Sequence, residues 1–294
     1  MKRGWKIFWI VCACIVGIGL LLCIAGAAMG VTFSAVRSAY GVDQARYASY
    51  WHNWDNWDDD IDDYDYDDNG DVQGSAENVS SFSGIHELSV DVSYLEVIVR
   101  PYTGDDVTVD VSQVNPKLKG RLEYEADEGE LSIETRESNW WPKSARNNTG
   151  YLVIQVPEGN ILNEASFEIG AGILEIENIK ADSLDISVGA GEAVVKRFET
   201  AQLDVECGAG KGALSGSVTK EASVECGVGE LAMALSGNQR DYDYRLKCGI
   251  GELTVGNDSY TGFDSKRSID NGTGKLMDIN CGIGQVKITF TEGL

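Results

Sequence analysis

The sequence predicts an all-β ectodomain folded as a parallel β-solenoid (β-helix-like) with coils of about 19 residues, behind one N-terminal transmembrane helix. Three observations carry that expectation. A Gly-x-Gly triplet begins at Gly170, Gly189, Gly208 and Gly227, at a fixed interval of 19 residues, and again at Gly249 and Gly282. Apolar and polar residues alternate strictly before each triplet. The 294 residues include 34 glycines but only 4 prolines, which fits many tight bends in a regular structure rather than a proline-rich linker.

The repeat units align as "IGAGILEIENIKADSLDIS", "VGAGEAVVKRFETAQLDVE" and "CGAGKGALSGSVTKEASVE", followed by units of 22 and 33 residues and a final partial unit, "CGIGQVKITF". The position before Gly-x-Gly holds Ile169, Val188, Cys207, Cys226, Cys248 and Cys281. Cysteine shares that column with Ile and Val, so it reads as a small apolar core residue. Two residues earlier the column is Phe167, Ile186, Val205, Val224, Leu246 and Ile279, and polar residues lie between the two columns. This is the pattern of a strand with one buried face. A second short strand follows each glycine corner, with Leu174 and Ile176, Leu231 and Met233, Leu253 and Val255, and Val286 and Ile288 pointing inward. Glycine is expected at the corner because a side chain there would clash or force an unfavourable φ. The alternative fold is an antiparallel β-sandwich of repeated hairpins, which explains the alternation but explains the constant spacing less well.

Repeated Cys-Gly-x-Gly also invites chemical readings. Rungs of a solenoid lie about 4.8 Å apart, close enough on distance alone for a disulfide or a thiolate metal site. In-register parallel rungs point their Cβ atoms the same way, which suits stacked free thiols better than bridges. There is no Cys-x-x-Cys pair, and His52 and His86 both lie outside the repeats. "GAGKGA" at 208–213 lacks the Lys-Ser/Thr ending of a phosphate-binding loop, and sister repeats carry Glu192, Glu230 and Glu252 where it carries Lys211.

Residues 80–160 read as further strands without the glycine corner. "HELSVDVSYLEVIV" looks like a first coil with Ser93-Tyr94 at the bend, and "ESNWWPKSARNNTG" is a loop whose adjacent Trp140 and Trp141 either stack on sugars or cap the open core.

Ahead of the repeats, Ile7–Val36 carries no charge, and the roughly 20 residues needed to span a bilayer fit within it. Lys2, Arg3 and Lys6 precede this segment, so residues 1–6 are expected in the cytoplasm and the C-terminal domain outside the cell. The apolar region of a cleavable signal peptide usually runs about 7–15 residues, so length favours a retained anchor over cleavage near Ala25-Gly26-Ala27. Residues 37–79 form a juxtamembrane segment and an acidic linker with ten aspartates between Asp55 and Asp71. Within it, Asp65, Asp67, Asn69 and Asp71 copy the front half of a calcium loop, with Gly70 at the sharp turn. The twelfth position is Ala76 rather than glutamate, which leaves two readings: a weak calcium loop or a solvated, self-repelling stalk. Calcium is the one cofactor the sequence suggests.

A net charge of -23 argues against nucleic acid as a partner and against docking on anionic lipid. The outward columns of the repeats are acidic, with Asp185 and Asp204 on one and Glu206 and Glu225 on the next. They offer many carboxylate pairs but none set apart in a cleft, so a β-helix-type polysaccharide-active enzyme is the weakest expectation.

Residues 80–294 resemble a family of bacterial surface proteins called putative adhesins, a domain of unknown function with β-strand repeats. The resemblance rests on "FSGIHELSVDVSYLEVIV", on "GAGILEI" and "CGVGEL", and most specifically on "DYDYRLKCGIGELTVGNDSYTG". It implies a surface location, often behind a single membrane anchor in Gram-positive bacteria, with adhesion or envelope-stress roles, and it supplies neither a ligand nor catalytic residues. The expected function is a non-enzymatic surface protein whose solenoid contacts a glycan, an envelope component or a protein; the alternative is an envelope-stress sensor or regulatory partner of another membrane protein.

Overall fold

The computed structural model describes residues 78–136 and 149–291. The apolar segment 7–36, the acidic linker with Asp65, Asp67, Asn69 and Asp71, and the tryptophans Trp140 and Trp141 lie outside the described residues. Among the described residues, no helix is long and apolar enough to cross a membrane.

The strands are β1 (Val79–Phe82), β2 (Glu87–Val92), β3 (Glu96–Tyr102), β4 (Val107–Asp110), β5 (Leu122–Asp127), β6 (Glu130–Thr135), β7 (Tyr151–Pro157), β8 (Leu162–Ile176), β9 (Ile179–Ser236), β10 (Asp243–Val255), β11 (Asp258–Ile269) and β12 (Leu276–Thr291). A single helical turn, α1 (Pro116–Lys119), follows β4. The length of β9 shows how the chain is built: the backbone turns through successive glycine corners without leaving the sheet. β8 pairs in parallel with the start of β9, Phe167 with Ile186 and Ile169 with Val188, an offset of 19 residues. Each coil has one limb before its corner and one after, so the coils stack into two facing layers.

The first turn of the stack has no glycine corner. β2 and β3 are its two limbs, pairing with the two halves of β8, and Tyr94 takes a positive φ of 64° at the bend between them. Antiparallel pairing is confined to the ends. β5 closes onto β6 and β1 onto β4 at one end, and β11 runs along both limbs of β10 at the other. These strands occupy the edges that an open solenoid would leave for another chain to pair with. The antiparallel sandwich therefore describes only the end caps.

The stack does not follow chain order to its end. β12 pairs in parallel with the last coil of β9 on one side, Cys281 opposite Cys226, and with β10 on the other, Cys281 opposite Cys248. The C-terminal strand is thus inserted between two coils that precede it in sequence. Two features permit this. Gly237 and a short 3-10 turn at Gln239–Asp241, capped reciprocally by Asn238 and Asp241, let the chain step past one layer before β10 begins. The carboxylate of Asp243 then holds the loop leading back, accepting from the backbone N–H groups of Asn271 at 2.7 Å, Gly274 at 2.9 Å and Thr273 at 3.3 Å.

Inside, side chains form continuous columns. One runs Val92, Ile169, Val188, Cys207, Cys226, Cys281, Cys248, and a second runs Val90, Phe167, Ile186, Val205, Val224, Ile279, Leu246; every member is buried. The tyrosines of "DYDY" cover the core where the chain steps over a layer, each with its hydroxyl satisfied: Tyr242 donates to the Val218 carbonyl at 2.8 Å and Tyr244 to the Gln239 carbonyl at 2.6 Å.

The glycine corners are required by the neighbouring coil. A Cβ placed on Gly208 would lie 2.6 Å from the Gly189 carbonyl oxygen, and one on Gly227 would lie 2.7 Å from that of Gly208. The relation continues in spatial order, with Gly282 at 2.6 Å from Gly227 and Gly249 at 2.7 Å from Gly282. Gly208→Ala is expected to destabilise the domain by about 2 kcal/mol or more, because neither backbone can yield without disturbing the whole column. Gly120→Ala, where a Cβ meets nothing within 4 Å, should stay within about 0.5 kcal/mol of the parent. Urea unfolding of the two variants measures the difference, and equal midpoints would refute the packing argument.

Candidate functional site

The glycine corners and the outward face of the first limbs form the surface on which function is sought. Along that face the polar columns predicted from sequence are present: Glu168, Ser187, Glu206, Glu225, Asn280 and Lys247 form one, and Ser166, Asp185, Asp204, Ser223, Asp278 and Arg245 the next. Insertion of β12 changes how these columns end. Asn280 now stands beside Glu225 and donates to it at 3.2 Å, and Lys247 faces Asp278 at 3.9 Å. Other carboxylates find partners in adjacent coils: Lys180 with Glu199, Lys196 with Glu175 and Lys211 with Glu230, each at 2.9 Å, and Gln202 with Glu221 at 2.6 Å. Lys211 is thus one partner in an inter-coil ion pair on a stacked sheet, not part of a phosphate cradle.

Asp185 and Asp204 carry the strain that remains. Burial pushes the carboxyl of Asp185 up, and the charges of Asp204 and Glu164 push it further, against a hydrogen bond from Ser183. Asp204 is raised in the same way by burial and then by Glu225 and Glu206, against Ser223. Among the described residues, no three or more His, Cys, Asp or Glu side chains are arranged to hold a metal ion, so these columns make no cation cage.

At the corner itself the structure shows a further feature. The middle residues of the Gly-x-Gly triplets point outward and stack in the order Ala171, Ala190, Ala209, Val228, Ile283, Ile250. The last three are 54%, 53% and 55% exposed, and their flanking glycines place no side chain beside them. A bare apolar ridge therefore runs along the corner, widening from alanine to isoleucine toward the end closed by β11. Its signal lay in the sequence as the progression GAG, GAG, GAG, GVG, GIG, GIG. Its order did not, because Ile283 reaches its place between Val228 and Ile250 only through the inserted strand. A separate half-open cavity of about 230 Å³ lies at the far edge of the coils, with Pro101, Pro157, Asn160, Asn178 and Lys180 in its wall.

The four cysteines of the described residues are buried free thiols, in agreement with the column they share with Ile and Val. His86 lies near Glu87, its Nδ1 3.7 Å from the carboxylate, and contacts Asn163 at 3.3 Å.

The raised carboxyls make the domain's stability depend on pH. The folded chain keeps protons on Asp185 and Asp204 that the unfolded chain releases, so their contribution is present in full below the ordinary value of 3.8 and is lost as pH rises through the raised values. Asp204→Asn should therefore raise the urea midpoint at pH 7. The gain should shrink as pH falls toward 3.8, and also in high salt. A variant matching the parent at every pH would show that these carboxylates do not repel.

Solved structures and one family model are similar to this chain. A cell adhesion protein from Clostridium sporogenes, described as putative, is 16% identical and aligns over 73% of this chain and 98% of its own, with a TM-score of 0.41. A putative adhesin from Bacteroides fragilis is 11% identical over 72% of this chain and 95% of its own, with a TM-score of 0.35. A protein from Parabacteroides distasonis described as a putative lipid binding protein is 14% identical over 72% and 97%, with a TM-score of 0.29. No curated protein matches the chain. The Toastrack DUF4097 family matches residues 85–292, from the strand that opens the first coil to the end of the inserted strand, and the chain belongs to that family.

Proposed function

We propose that this protein is a non-enzymatic, membrane-anchored surface protein that binds a glycan, an envelope component or another protein through the glycine corner of its coiled domain. The observation that carries the reading is the exposed ridge of Val228, Ile283 and Ile250. Apolar side chains stacked on adjacent rungs of an otherwise charged surface favour a contact that removes them from water. The flat glycine lanes on either side let a ligand approach the backbone closely. The chemistry on offer is recognition: apolar contact along the ridge, with polar contacts from Glu225, Asn280 and Lys247 on one flank and Glu230, Gln285 and Glu252 on the other. In this reading the uncharged segment 7–36 is the anchor and the aspartate-rich linker holds the domain away from the bilayer surface.

The test is binding of a soluble 78–294 fragment to isolated bacterial envelopes and to a glycan panel, first with calcium and then with chelator. Saturable binding is expected, reduced at least about tenfold when Val228, Ile283 and Ile250 are all replaced by serine, a loss of about 1.4 kcal/mol or more. Retained binding by that variant would remove the ridge from the site. Absence of binding under both conditions would favour a regulatory partner within the membrane. Calcium dependence confined to chains that include residues 55–71 would place the cation in the acidic linker rather than on the coils.

A further inference from the structure

The cysteine column contains more than its packing role explains. All four cysteines of the described residues occupy consecutive rungs of one column, in the order Cys207, Cys226, Cys281, Cys248. Insertion of β12 sets their order, placing Cys281 between Cys226 and Cys248. Ile169 and Val188 fill the same column further along, so an aliphatic side chain serves the packing equally well. Parallel rungs place paired Cα atoms about 4.8 Å apart, within the roughly 4.4–6.8 Å that a disulfide spans, and closing a bridge draws the parallel Cβ atoms in toward the roughly 3.5–4.5 Å it needs. We propose that the column is a pair of redox staples, Cys207 with Cys226 and Cys248 with Cys281, and that the second staple locks the inserted C-terminal strand into the stack.

The pairing follows from the order of the rungs: outer pairing consumes all four thiols, while a central bridge would strand Cys207 and Cys248 singly. In each pair one cysteine, as its thiolate, attacks a small disulfide such as oxidised glutathione, forming a mixed disulfide and releasing one glutathione thiolate. Its partner then loses its proton to solvent and attacks that protein sulfur, releasing the second glutathione. Two protein thiols are oxidised and one glutathione disulfide is reduced to two thiols.

Access sets the timing. The four side chains are between 0% and 3% exposed, so the bridges close while β12 is still being seated, or when it transiently leaves. Once closed, the Cys248–Cys281 bridge ties β12 to β10 through the loop that carries β11, and the terminal strand can no longer be withdrawn from the chain end.

The experiment uses the full chain in detergent, with Cys12, Cys14 and Cys23 replaced by alanine, refolded from urea in oxidising glutathione buffer. After alkylation and non-reducing digestion, peptides linking Cys207 to Cys226 and Cys248 to Cys281 are expected, with no alkylated ladder cysteine. Reduction should lower the urea midpoint by about 1 M. Four alkylated cysteines in a chain with native circular dichroism, or a dominant Cys226–Cys281 link, would overturn the proposal. Should the alanine variant fail to fold, the parent chain serves, since digestion separates the N-terminal cysteines on their own peptide. Cys281→Val, which places in the column a residue it already accepts at Val188, should fold and lose part of the reduction-dependent shift. An undiminished shift would show that Cys281 forms no bridge.

Discussion

The structure depends on how closely two backbones approach at the glycine corner. Adjacent coils place the carbonyl oxygen of one corner where the next corner's Cβ would stand, as Gly189 does to Gly208 and Gly227 to Gly282. Only a residue without a side chain allows that approach, so the corners stay in register and every column of side chains above and below them stays in register too. A single methyl group there would act on the stack as a whole. That is why the spacing of the glycines, more than the identity of any core residue, defines the coil.

Register turns a repeated sequence into repeated chemistry. The position before the corner is buried in every coil, so cysteine there is held among Val and Ile and its reactivity is set by its neighbours in the column. The middle of the corner points outward in every coil, so a change from alanine to isoleucine widens an exposed ridge without disturbing the core. Polar positions on the outer face stack their charges, and their energy depends on the coil next door: Asp204 is strained by Glu225 and Glu206, while Glu230 is relieved by Lys211. No charged side chain here can be judged from its own repeat.

The insertion of β12 connects these effects. It closes a gap between the third coil of β9 and β10, and it satisfies both hydrogen-bonding edges of a strand that would otherwise end the chain exposed. It also brings Asn280 to Glu225, sets Ile283 between Val228 and Ile250, and sets Cys281 between Cys226 and Cys248. The acidic run, the apolar ridge and the thiol column all owe the order of their last rungs to that one step in topology, and the neighbours within the proposed binding face and the proposed staples follow from it.

Sequence alone determined the coil. The 19-residue recurrence of Gly170, Gly189, Gly208 and Gly227, with strict alternation before each, specified parallel stacking, inward cysteines and outward carboxylates, because a strand's period of two and a glycine's missing Cβ act locally. It also located the bend at Ser93-Tyr94, where the alternation skips. What only the tertiary structure decided was the order of the coils. Parallel in-register pairing joins any two repeats equally well, since Cys226 would meet Cys248 with the same backbone geometry with which it meets Cys281. The choice was settled by distant features: the step at Gly237, the loop held by Asp243, and the need to cap both ends of the stack. The thiol column was therefore legible as a stack and the ridge as a run of residue types, but the order of their rungs was not, because adjacency between coils is a property of the assembled stack.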